Sequence, residues 1–111
     1  LEFAHLGQLY IQDGVWNEKR ILSEGFVAAS GRSHQASHDP KEGTPGYGYQ
    51  WWVPWQSKCE SMAIGAFGQM IWLDTARGVS IAQFGAQGGD ATQTTEDTHA
   101  AMRAIVDAFS V

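Results

Sequence analysis

A chain of 111 residues has the ordinary size of one domain. With 43% hydrophobic and 17% charged residues, it has enough apolar material for a packed core and too little charge for a disordered tail. The net charge of -5 argues against nucleic acid, the lack of about 18 consecutive apolar residues argues against a membrane-spanning helix, and one cysteine, Cys59, excludes an internal disulfide.

Phe3, Leu6 and Tyr10 recur at i, i+3, i+7, with Leu9 beside them, which predicts a helix packed along that stripe. Asp13-Gly14 should end it, with the glycine in the left-handed position after the helix. Leu1-Glu2-Phe3 reads as the middle of that helix, so the polypeptide is expected to continue upstream. A second helix is expected from Ser23 as N-cap through Phe26, Val27 and Ala28 to Ser30-Gly31. Residues 31–46 have loop composition.

Tyr47 to Trp55 reads as one aromatic strand, ended or bulged by Pro54. Residues 59–64 form a short strand. Gln69–Leu73 and Val79–Phe84 are apolar runs around Asp74-Thr75-Ala76-Arg77-Gly78, so 66–74 and 79–86 should make an antiparallel hairpin. Gly85 to Gly89 is a loop. Thr94 or Thr95 should cap a last helix that buries Met102, Ile105 and Phe109 on the sheet. The fold class is α+β: an antiparallel sheet flanked by helices, in one partial domain over 1–111.

The chemistry of the chain is defined partly by what is missing. No Ser-x-x-Lys, Tyr-x-Asn, Lys-Thr-Gly or Gly-x-Ser-x-Gly occurs, and no phosphate or dinucleotide loop. His34 and His38, with Asp39 next, have a metal-ligand spacing only on a helix, and they stand in loop composition. Cys59 beside Lys58 and Glu60 has no local histidine to activate it. No catalytic residue, metal or cofactor is assigned.

Four strings, in order, resemble the class C-type β-lactamases, penicillin-binding proteins and related esterases. Phe3-Ala4-His5-Leu6-Gly7-Gln8-Leu9-Tyr10-Ile11-Gln12-Asp13-Gly14 is similar to their aromatic-Ala-x-x-Gly-x-Leu helix. Trp16-Asn17-Glu18-Lys19-Arg20-Ile21-Leu22-Ser23 resembles the lead-in to their next helix. Gly46-Tyr47-Gly48-Tyr49-Gln50-Trp51-Trp52 resembles a Tyr-Gly-Tyr strand ending in Trp-Trp. Ala63-Ile64-Gly65-Ala66-Phe67-Gly68-Gln69, with Ile71-Trp72-Leu73-Asp74 and Arg77-Gly78, resembles their Gly-x-x-Gly-Gln hairpin, with Thr75 where proline is usual. The nearest branch is that of esterases and 6-aminohexanoate-oligomer hydrolases.

The resemblance implies a partial β-lactamase/transpeptidase-like fold whose nucleophile and base motifs lie upstream. It implies a serine hydrolase acting on a small ester or amide, of which this chain is the C-terminal portion, inactive alone. Cys59-Glu60-Ser61-Met62-Ala63-Ile64 stands where the family has Lys-Thr-Gly or His-x-Gly, so no cation is placed there for a penicillin-type carboxylate. What the strand can offer is a backbone N–H for an oxyanion: Ile64 first, then Ala63, with Gly65 beside them. Tyr47, Tyr49 and Trp51, on one face of a strand, would form a pocket wall, although core packing explains them as well. The alternative function is a binding or assembly module using this aromatic face. The missing N-terminal half, or a second copy in a homo-oligomer, is the expected partner, because a partial sheet leaves edges and apolar faces bare.

Overall fold

The computed structural model describes residues 2–34, 45–54, 59–86 and 92–109, with side chains in the last helix described from Asp97. The chain opens with helix α1 (Glu2–Ile11). Asp13 (φ 54°) and Gly14 (φ 81°) close it: the Gly14 N–H donates to Leu9 O and the Asp13 N–H to Tyr10 O. This double bond pattern satisfies two end carbonyls. The first left-handed residue is therefore Asp13, with Gly14 one place later than expected. At Gly14 an added Cβ would stand 2.6 Å from Leu22 Cβ, so close approach as well as conformation requires glycine.

A small hairpin follows, β1 (Val15–Trp16) with β2 (Lys19–Arg20), turning at Asn17 (φ 48°) and Glu18 (φ 65°). Two left-handed residues in a two-residue loop match the twist of a hairpin. Helix α2 (Phe26–Ser30) starts after Gly25 (φ 82°) without a side-chain cap. Ser23 contributes only its carbonyl, which accepts from the Phe26 N–H, so it is not the N-cap that the sequence suggested.

The expected aromatic strand is instead a tight hairpin, β3 (Gly46–Tyr47) and β4 (Trp52–Val53). The chain reverses through Tyr49 and Gln50 (φ 67°), and the Gly48 N–H donates to Trp51 O. Two backbone contacts force the reversal. The Tyr49 N–H donates to Ser30 O, and Gly48 lies so near α2 that an added Cβ would stand 1.9 Å from Ser30 O. Trp55 lies outside the described residues.

Strands β5 (Glu60–Ile64), β6 (Met70–Asp74) and β7 (Val79–Gln83) complete a five-stranded antiparallel sheet in the order β3-β4-β5-β6-β7. The β6–β7 hairpin stands where the sequence placed it, with Asp74 Oδ1 accepting from the Arg77 N–H and Gly78 (φ 70°) closing the turn. Residues 66–68 form a 3₁₀ turn before β6, rather than part of the strand.

Strand alternation sorts the core into two faces. Met62, Met70 and Trp72 point to one face, where Met102 and Val106 of helix α3 (Thr92–Phe109) close over them. The helix starts at Thr92, ahead of the expected Thr94 or Thr95 cap. Its buried stripe is His99, Met102 and Val106, while Ile105 is 40% and Phe109 73% exposed. The expected stripe held at Met102 but was wrong at Ile105 and Phe109: the helix is rotated by about one residue, because Arg103 turns inward to meet buried Glu60. Ile71, Leu73 and Trp51 point to the other face, against Tyr10 and Ile11 of α1. Helix α1 touches it through Tyr10, Ile11 and Gly7; an added Cβ on Gly7 would stand 3.1 Å from Ser80. Phe3 and Leu6, expected in the contact stripe, are exposed. Among the described residues no helix is long and apolar enough to cross a membrane.

Candidate functional site

The residues nominated from sequence fall into two places. Ala63, Ile64 and Gly65 stand at the end of β5. Its register with β6 pairs Ala63 with Ile71 and Ile64 with Met70. The next pair is hydrogen-bonded, the Gly65 N–H donating to Gln69 O at 2.9 Å. Antiparallel ladders alternate, so the Ala63 N–H also points to β6. The Ile64 N–H points the other way, toward the β4 side.

On that side β4 pairs with β5 only at Trp52–Met62 among the described residues. Beyond Met62 the edge carries no ladder among the described residues. Gly65 keeps extended backbone (φ -112°, ψ 171°), so the N–H of Ala66 emerges on the same edge as that of Ile64. Geometry thus separates the three nominated residues: Ala63 and Gly65 spend their N–H groups on β6, and Ile64 does not. Ala66 was not among the residues nominated from sequence; strand parity counted from Gly65 adds it to this edge.

The sheet end around this edge is apolar. A 210 Å³ hollow is lined by Phe3, Ala63, Ile64, Gly65 and Ile71, among others. Its glutamines are committed: Gln69 bonds both N–H and C=O of Gly85 through its amide, and the Gln83 amide donates to Gly68 O. These bonds tie the 3₁₀ turn to the end of β7. Phe67 (φ 63°) and Phe84 stay exposed, the latter 5.7 Å from the Phe3 ring. Among the described residues no charged side chain lines the hollow.

The aromatic trio does not form one wall, because the hairpin at Tyr49-Gln50 breaks the strand that would have aligned it. Trp51 is buried with its ring 4.8 Å from Tyr10 and lines a separate cavity on the α1 face. Tyr49 stacks on His34 at 4.4 Å and lies near Phe26, on the surface. Tyr47 packs edge-on against Trp52. His34 Nε2 bonds with Ala29 O at 2.7 Å. His38 and Asp39 lie outside the described residues. Cys59 (φ 55°) is exposed at the start of β5, its carbonyl accepting from the N–H and hydroxyl of Thr75.

A five-stranded antiparallel sheet covered by helices on both faces, with the Gly-rich turn closing its third strand, is a β-lactamase-like hydrolase fold. No protein-family model and no curated protein matches the sequence. Among solved structures the chain is similar to "Putative 6-aminohexanoate-dimer hydrolase from Bacillus anthracis", with a TM-score of 0.70 and 20% identity over 93% of this chain. The match spans 27% of that structure's chain. The likeness is one of fold.

Proposed function

We propose that this chain forms the sheet edge and pocket floor of a β-lactamase-related serine hydrolase acting on an ester or amide, and that its nucleophile comes from residues outside these 111. The single observation that carries the reading is the edge of β5. The Gly65 N–H is held by Gln69, so the N–H groups of Ile64 and Ala66 are directed off the ladder at an open strand end. Such donors suit the oxygen that becomes an anion when a serine attacks a carbonyl. The apolar, uncharged hollow beside them suits a neutral substrate portion. With no Ser-x-x-Lys or Tyr-x-Asn in the sequence, the chain alone has no hydrolase activity. Its exposed apolar residues, Phe3, Leu6, Phe67 and Phe84, support association with a nucleophile-bearing segment or a second copy.

The test has two stages. The coding sequence in frame before Leu1 should contain Ser-x-x-Lys and Tyr-x-Asn, and the polypeptide carrying both parts should hydrolyse p-nitrophenyl acetate. Replacing the amide N–H of residue 64 or 66 by an ester oxygen should then lower kcat by about 10²–10³-fold with little change in KM. Full activity in both ester variants would overturn the assignment. Turnover by the 111-residue chain alone, abolished by one serine substitution, would overturn the missing nucleophile. Sedimentation equilibrium of the chain alone tests association: a concentration-independent mass of 12.1 kDa opposes it.

A second reading, a non-catalytic binding module, draws on the exposed stack of Phe26, Tyr49 and His34. It requires ligand binding lost on Tyr49→Ala and indifferent to the N–H of Ile64.

A further inference from the structure

The α1 face holds a second cavity, of 330 Å³, which the hydrolase reading does not use. It lies between the C-terminal end of α1, helix α2 and the sheet, at the lower end of the size range of small-molecule sites. Tyr10, Val27, Trp51 and Leu73 give it apolar walls, and Ser61 lines it from β5.

Ser61 is the informative residue. It sits between Glu60 and Met62, whose side chains face α3, so its own points to the α1 face. The residue is 4% exposed. Its hydroxyl makes no side-chain hydrogen bond among the described residues. What little of the residue is exposed opens into the cavity that Ser61 lines, so a molecule held there is the group its hydroxyl can meet. Two neighbouring polar side chains are already engaged. Ser30 Oγ donates to Phe26 O at 2.7 Å, and the one charged lining residue, Asp13, lies 4.0 Å from Arg20.

We propose that this cavity binds a small, uncharged, mostly apolar molecule through a single oxygen hydrogen-bonded to Ser61 Oγ. The apolar walls take the body of the ligand. The engaged Asp13 leaves no charge to pair with a charged one. The inference does not rest on the hydrolase reading, since the cavity shares no lining residue with the hollow beside Ile64.

The probes are p-cresol, which has a ring and one hydroxyl, and toluene, which has the ring alone. Each is titrated into the full chain while the methyl resonances of Val27 and Leu73 are followed by NMR. Both should give saturable shifts. Ser61→Ala should weaken p-cresol by about tenfold, the worth of one neutral hydrogen bond, and leave toluene unchanged. Ala28→Trp, on the cavity wall, should weaken both. Toluene binding to the Ser61→Ala variant shows that the variant is folded. No saturable shift with either probe means that solvent alone satisfies Ser61 and overturns the proposal. So does p-cresol binding that is indifferent to Ser61→Ala.

Discussion

The two faces of the sheet are built differently. On the α3 face, Met62 and Trp72 are sealed by Met102 and Val106, and the charged groups there are paired. Glu60 lies directly across from Asp74, two buried carboxylates on neighbouring strands. Arg103 answers Glu60 with three bonds of 2.8–3.2 Å and stands 5.9 Å over the Trp72 ring; the backbone N–H of Arg77 answers Asp74. On the α1 face a ten-residue helix lies over Ile71 and Ser80. The β4–β5 side keeps the 330 Å³ cavity, and Phe3 and Leu6 face outward. One face carries stability and the other carries space. Space is what a site needs, and close packing on the opposite face allows it.

The largest expected effect breaks the closed face. Trp72→Ala should cost about 3–5 kcal/mol in urea unfolding, because the side chain is fully buried against both methionines and α3. A cost under 1 kcal/mol would remove the distinction between the faces. Glu60→Ala should cost about 3 kcal/mol by removing the buried carboxylate that Arg103 binds, and Glu60→Leu with Arg103→Met should recover most of it. If the double variant is no more stable than the single, the pair is not the unit of stability there.

Two smaller effects sharpen the comparison. Gly48→Ala should cost about 1–3 kcal/mol, because its Cβ would meet the Ser30 carbonyl, and it should perturb Tyr49 resonances before those of Trp72. Phe109→Ser should stay within about 0.5 kcal/mol, since the ring stands in solvent. A loss above 1 kcal/mol would return Phe109 to the buried stripe.

Much of the scaffold was legible because local patterns and tertiary contacts agreed. Helix α1, strand β5 and the β6–β7 hairpin follow from periodicity and from the Asp74–Gly78 turn, where side-chain and backbone preferences point the same way. The candidate site was legible to its strand. Ile64 could be named from a resemblance, but its N–H could be separated from those of Ala63 and Gly65 only by the register with β6.

What the sequence determined by itself was the class of fold and the absence of a serine nucleophile motif, since binary patterning and missing motifs are local facts. What only the tertiary structure decided was direction. Tyr47 to Trp52 has strand propensity throughout, and the reversal at Gln50 comes from Ser30, some twenty residues away in the chain. Helix α3 has apolar residues at both Val106 and Phe109; the charge of Glu60 on a distant strand draws Arg103 inward and turns Phe109 out. Propensity ranks conformations residue by residue, whereas these choices are set by partners that meet only when the chain is folded.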